Sequence, residues 1–196
     1  MILNPKPVTP DQLAMSVKIL IAGGFGVGKT TMVSSISEIT PLHTEELITE
    51  LSAGVDDLVG VEDKKTTTVA LDFGRITIDH TLVLYLFGTP GQDRFWFLWD
   101  ELSVGTLGAV VLTDTRRLES SFAAVDFFEN RGIPFIVGVN CFDNAPRYSV
   151  EQVRDALDLE PHTPVHLCDV RRRDSSKDIL VNLVEYLIYR ADAALH

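Results

Sequence analysis

Eight residues constrain this chain more than any others: Gly23-Gly24-Phe25-Gly26-Val27-Gly28-Lys29-Thr30. They fit the pattern GxxxxGK[ST], and their setting is right for it. An apolar run at 17–22 stands before them as a strand, and 31–39 follows as a helix. Glycines let the backbone fold tightly, so that N–H groups point inward at phosphate oxygens. The helix that follows adds its positive N-terminus. In such a loop Lys29 bridges the β- and γ-phosphates, and the Thr30 hydroxyl binds Mg2+. The competing reading is a glycine-rich turn with a surface lysine, and the strand–loop–helix order argues against it.

The rest of the chain continues that alternation. Residues 69–78 and 81–87 are rich in β-branched and apolar types around Asp79-His80, and read as two strands joined by a tight hairpin. The continuous apolar runs 109–112 and 133–139 suit strands buried on both faces, and 165–167 is a short last strand. Ser120 or Ser121 starts a helix that ends near Gly132-Ile133-Pro134. Ser149-Val150-Glu151-Gln152 is a capping box for the next. Residues 175–178 open the last helix, where Ile179, Leu180, Leu183, Val184, Leu187 and Ile188 recur at helical spacing.

One stretch is unusual. From Thr30 to Asp63 there are eight acidic residues and no Lys or Arg. Within it, Thr44 predicts the cap of a short helix with Glu45 and Glu46 in its first turn and Leu47, Ile48 and Leu51 facing inward. The remainder of the stretch reads as loop. Residues 1–15, with Pro5, Pro7 and Pro10, read as a flexible arm, and 16–196 as a single domain. The expected architecture is α/β, with a mostly parallel sheet of about six strands and roughly five helices on its two faces. Ligand is expected at the C-terminal edge of the strands.

Composition narrows the classes. At 196 residues the chain can bury one full core without disulfides or a structural metal. A net charge of −11 without a basic stripe makes a poor nucleic-acid binder. No apolar run reaches the roughly 18 residues of a membrane span, so no direct membrane insertion is expected. Neither terminus reads as a targeting or lipidation signal. Cys141 and Cys168 make no disulfide framework and no metal-ligand pattern. The expected location is the cytoplasm, with membrane association only through partners.

Five motifs in order carry a family resemblance. The loop is followed by Thr68-Val69-Ala70-Leu71-Asp72-Phe73, Gly88-Thr89-Pro90-Gly91-Gln92, Asn140-Cys141-Phe142-Asp143 and Cys168-Asp169-Val170-Arg171. In order and spacing this resembles the Ras-like small GTPases, a P-loop NTPase family. It is most similar to their bacterial MglA-like branch and, within it, to the actinobacterial conservon D-type proteins. The resemblance implies GTP/GDP and Mg2+ as cofactors. It assigns nucleotide contacts to Gly23, Gly26, Val27, Gly28, Lys29, Thr30, Thr31, Gly91, Asn140, Cys141, Asp143, Cys168, Asp169 and Val170. Thr30 and Thr68 would complete the metal shell, and Lys29, Thr68 and Gln92 would serve catalysis, Gln92 by orienting the attacking water. Asp143 would accept two hydrogen bonds from the guanine edge, because a carboxylate has only acceptors and guanine offers two adjacent N–H groups. Asn140 would brace the loop, and the Asp169 N–H would meet the guanine oxygen.

The chain also departs from that family. Gly88 stands where an aspartate normally holds Mg2+ through water, and no nearby acid is an obvious substitute; such a loss weakens a metal site about 10–100-fold. Phe25 replaces a loop glycine; its ring either crowds the γ-phosphate side or turns outward onto the aromatics that follow Gln92. No arginine lies between Gly23 and Gly74, so switch I supplies no arginine finger; Lys64 and Lys65 are the cations of its later part. Cys141 replaces a lysine whose stem covers the base, and Cys168 a serine. Both cysteines would line the base, as small soft fillers or as an oxidation-sensitive pair. The segment Arg94-Phe95-Trp96-Phe97-Leu98-Trp99 serves as a partner surface, a core-packed helix or both. Arg171-Arg172-Arg173 reads as a solvated loop.

The expected function is a guanine-nucleotide switch with slow, Mg2+-dependent GTP hydrolysis. The resemblance implies a roadblock/LC7-type regulator and a sensor-kinase system as partners. A pseudo-GTPase scaffold is the rival that Gly88 and Phe25 favour and that Gln92 and Thr68 oppose. A P-loop ATPase or kinase is the rival that Asn140 and Asp143 oppose.

Overall fold

The computed structural model describes residues 15–49, 66–91 and 95–193. In chain order the elements are β1 (Met15–Ala22), α1 (Lys29–Ile36), β2 (Leu42–Thr49), β3 (Thr66–Thr77), β4 (Leu82–Gly88), α2 (Trp96–Ser103), β5 (Thr106–Thr113), α3 (Phe122–Arg131), β6 (Phe135–Asn140), α4 (Val150–Ala156), β7 (Val165–Cys168) and α5 (Arg173–Ala193). A short 3₁₀ turn, Leu118–Ser121, leads into α3. The arm expected over 1–15 falls outside the described residues, apart from Met15, which opens β1. So do 50–65, with most of the acidic stretch and Lys64 and Lys65, and 92–94, with Gln92.

The strands form one sheet in the order β2-β3-β4-β1-β5-β6-β7. β1 runs parallel to both β4 and β5, β5 to β6, and β6 to β7. β3 is antiparallel to β4 through the expected hairpin. The mostly parallel α/β sheet with flanking helices is thus present, with its six expected strands.

A seventh strand replaces the helix expected after Thr44. β2 pairs antiparallel with β3 from Leu42 opposite Phe73 to Thr49 opposite Thr66. The cause lies in β3, whose pairing with β4 spans only Asp72 to Thr77. The edge of that strand facing away from β4 would otherwise present an unpaired row of N–H and C=O groups, and β2 supplies the partner there from Thr66 to Phe73. Long-range pairing here overrides a local helix signal.

Alternation along the strands divides the apolar runs between two cores. Ile19, Ile21, Val110, Leu112 and Ile136 face α1 and α5, where they meet Met32, Val33, Ile36, Ile179, Leu180 and Leu183. Leu20, Ala22, Ala109, Val111 and Val137 face the other way, onto Trp99, Phe127, Phe128 and Val153 of α2, α3 and α4 and onto Leu157, the residue that caps α4. The Ser149 capping box forms as read, with Ser149 Oγ accepting from Gln152 N–H and Gln152 answering the Ser149 N–H. α5 starts at Arg173, two residues before the expected opening. Ile188, expected on the buried face, is exposed. A 21-residue helix is about 32 Å long and outlasts an eight-residue strand of about 26 Å.

Candidate functional site

At the C-terminal edge of the parallel strands, the segments after β1, β4, β5, β6 and β7 converge. The first is the phosphate loop. Gly28 takes φ 109° as the N-cap of α1, in the left-handed region open to glycine. A Cβ there would also stand 2.8 Å from Asn140 Nδ2. Lys29 begins the helix and turns back over the loop, where its Nζ donates to the carbonyls of Gly23 and Gly24, each at 2.8 Å. The side chain is only 8% exposed, and burial pulls its pKa down from 10.5 to about 8, with Asp72 working in the opposite direction.

Thr30 Oγ1 donates to Asp72 Oδ2 at 2.6 Å, a short bond of the kind made to a charged acceptor. Asp72 lies directly opposite Gly88 across β3 and β4 and is 7% exposed. A Cβ on Gly88 would meet Asp72 Oδ2 at 2.9 Å and its Cβ at 3.0 Å. The Asp72 side chain therefore fills the space that a side chain on residue 88 would need. The expectation is that no nearby acid is an obvious substitute; the structure sets a carboxylate at this place, from the neighbouring strand at the paired position. The sequence signal was the pairing itself, Asp72 opposite Gly88, which a hairpin register reading would have exposed.

Thr68 sits within the β2–β3 ladder, opposite Leu47. It is four residues from Asp72, about 13 Å along the strand, so the structure does not bring its backbone to Thr30. Gly91 lies against the loop, where a Cβ would stand 2.6 Å from Lys29 Nζ. Thr31 is exposed on α1. Phe25 turns outward, 67% exposed, and its carbonyl accepts from Arg117 Nη2 at 3.1 Å. Arg117 was not singled out in the sequence, because it reaches the loop from the segment after β5. That segment also carries Asp114, whose buried carboxylate is held below its ordinary pKa by Arg116; the Arg116 guanidinium lies 4.0 Å over the Phe142 ring.

At the other end, Asn140 is 4% exposed and ties three segments together. Its Nδ2 donates to Val27 O at 3.0 Å, and its Oδ1 accepts from Val170 N–H at 3.3 Å. Cys141 N–H donates to Cys168 O at 2.7 Å. Asp143 is exposed and carries an ion pair with Arg171, which holds its carboxyl below the usual carboxylate range.

Two assignments at this end change. The Asp169 N–H already donates to Ser175 Oγ at 2.9 Å, because the first turn of α5 folds back onto it. The Cys168 thiol does not line the base end; it packs in the core under α5. Burial pushes it up to about 12, so it stays a protonated thiol. Both cysteines are free.

In the described part of the aromatic segment, buried and exposed rings alternate between core and surface. Phe95 and Trp99 are buried, Trp99 Nε1 donates to Pro90 O at 3.1 Å and its ring packs edge-on against Phe127, while Phe97 is exposed on α2.

These features have counterparts in known proteins. Residues 21–190 match the family described as "Conserved hypothetical ATP binding protein". Uncharacterized protein MJ1339 of Methanocaldococcus jannaschii is 30% identical over 129 residues, which cover 65% of this chain and 71% of that protein. The G domain of the T. maritima FeoB iron transporter superposes with a TM-score of 0.60 at 17% identity, covering 88% of this chain and 99% of that one. The FeoB G-domain from Methanococcus jannaschii superposes with a TM-score of 0.59 at 13% identity, covering 88% and 97%. At such identities the structures show the fold, that of a P-loop G domain. The family match spans most of the chain: this protein belongs to the conserved hypothetical ATP binding protein family.

Proposed function

We propose that this protein is a guanine-nucleotide switch with slow, Mg2+-dependent GTP hydrolysis. The observation that carries the reading is Asn140. By joining Val27 of the phosphate loop to Val170 after β7, it fixes where the segment ending at Asp143 stands relative to the phosphates. A carboxylate there selects a base edge with two adjacent donors, which guanine has and adenine lacks. The family description names ATP; Asp143 favours guanine.

The residues present fit a magnesium ion. Thr30 and Asp72 offer a hydroxyl and a buried carboxylate side by side, the hard oxygen donors that Mg2+ takes. Among the described residues no group of three or more His, Cys, Asp or Glu forms a metal cage. That suits an ion held partly by phosphates and water. Thr30 would bind the ion and Asp72 would hold it through Thr30 and water; the ion would offset charge on the β- and γ-phosphates. Lys29 contributes a second positive charge from the loop, and Gly91 an N–H beside it. Gln92 would orient water, and Thr68 would join the site only if the start of β3 left β2.

That last point supports a second reading, a scaffold that binds nucleotide without hydrolysing it. Both readings place the protein in the cytoplasm, within the MglA-like and conservon D-type branch; among the described residues no helix is long and apolar enough to cross a membrane. A roadblock/LC7-type regulator and a sensor kinase remain the proposed partners, with exposed Phe97 on α2 as an anchor. Titration of purified protein with GTP, GDP and ATP, then a Mg2+-dependent turnover assay, tests the proposal. Guanine preference with slow turnover supports the switch; guanine preference without turnover supports the scaffold; equal ATP affinity removes both.

A further inference from the structure

The carboxylate that would read the base already has a partner. Arg171 Nη1 donates to Asp143 Oδ2 at 2.7 Å and Nη2 to Asp143 Oδ1 at 3.2 Å, a two-pronged, end-on pair. The same guanidinium donates through Nε to Asp169 Oδ1 at 2.8 Å and through Nη2 to Asp169 Oδ2 at 2.9 Å. Its backbone is equally well placed, with the Arg171 N–H on Asp169 Oδ1 at 3.1 Å and the preceding Val170 buried and tied to Asn140.

A guanidinium seen end-on and the donor edge of guanine have the same chemistry: two parallel N–H groups in one plane, spaced to meet the two oxygens of one carboxylate. Both need the same outward lone pairs of Asp143. The remaining lone pairs point elsewhere, so a second planar fork has no room in that direction. We propose that Arg171 is an internal stand-in for guanine, so that base recognition proceeds by exchange of the Arg171 fork for the base. This rests on the guanine reading above. Asp169 is the rest position that keeps Arg171 at hand. Asp143 and Arg171 side chains are 74% and 54% exposed, so the pair is open to salt and the exchange is a light one.

The proposal has a sign that ordinary electrostatics does not share. A nucleotide is an anion, and deleting a cation at the mouth of its site would normally weaken binding. Deleting a competitor strengthens it. The test is stopped-flow association and equilibrium titration of fluorescent GDP with wild type, Arg171→Ala and Arg171→Lys, with thermal melts to confirm folding. Arg171→Ala is expected to bind GDP faster and about two- to fivefold tighter at low salt. Arg171→Lys is expected to show the same gain despite its charge, because an ammonium has no planar fork; it also carries the test if the alanine variant does not fold. The gain shrinks as salt rises, and ATP affinity does not rise. Unchanged or weaker GDP binding in both variants, with wild type still preferring GDP to ATP, would overturn the exchange and leave the guanine reading standing. A wild type that binds ATP and not GDP would remove the guanine reading and this proposal together.

Discussion

The two ends of the site are built on different principles. The phosphate end rests on two buried charged groups: Lys29 is bonded to two loop carbonyls, and Thr30 to the Asp72 carboxylate that fills the space beside Gly88. The base end has one buried brace, Asn140, and beyond it an exposed network of Asp143, Asp169 and Arg171. Buried polar groups are costly to disturb, whereas exposed ion pairs exchange readily and answer to salt. Substitutions should therefore act strongly at the first end and gently at the second.

The largest effect is expected at Lys29. Lys29→Ala removes a charge from the phosphates and should cost about a hundredfold or more in nucleotide affinity by titration calorimetry. The same group sets a pH dependence. In the folded protein it loses its proton at about 8, while the unfolded chain keeps it to 10.5. Between those values the unfolded state binds more protons, so this group's contribution to stability rises with pH. Nucleotide works in the opposite sense, because phosphates favour the ammonium: affinity should be full below about pH 8, fall above it, and be accompanied there by proton uptake. Affinity that stays flat to pH 10 would mean Lys29 does not meet the phosphates.

Next comes the cross-strand pair. Gly88→Asp alone sets a Cβ 2.9 Å from Asp72 Oδ2, with a second carboxylate on it, and should destabilise the fold by about 1–3 kcal/mol in a denaturant titration. Asp72→Gly combined with Gly88→Asp moves the carboxylate to the other strand and should recover most of that loss. A double variant no more stable than Gly88→Asp would break the idea that one space serves both positions.

At the base end, Asp143→Asn should lower guanine affinity about tenfold and shift preference toward xanthosine nucleotides, measured by competition. If GTP affinity is untouched, the base is read elsewhere. The smallest signal is optical. Trp99 is bonded to Pro90, next to Gly91 and the phosphate loop. Its fluorescence should differ between the GDP and GTP-analogue forms, and Trp99→Phe should remove most of the difference. Identical spectra at saturation would favour the scaffold.

Much of this was legible in the sequence, for reasons that differ by residue. The phosphate loop and the buried parallel strands announce themselves because glycines, Lys29 and continuous apolar runs are local signals. The Ser149 box is equally local. β2 was not legible, because Glu45, Glu46 and Leu47 suit a helix as well as a strand, and the decision came from the open outer edge of β3. Asp72 was hidden for a related reason: its meaning depends on standing opposite Gly88. Arg117, Arg171 and the inward turn of Cys168 likewise depend on which loops the sheet brings together.

The release of fluorescent GDP, with Mg2+ and after its chelation, from wild type and from Asp72→Ala tests the account most directly. It predicts slow release from wild type with Mg2+, and about 10–100-fold faster release either on chelation or on loss of Asp72, with little further gain when the two are combined. Release from wild type that is fast and indifferent to Mg2+ would contradict it, since Asp72 would then fill the space beside Gly88 without taking up its task.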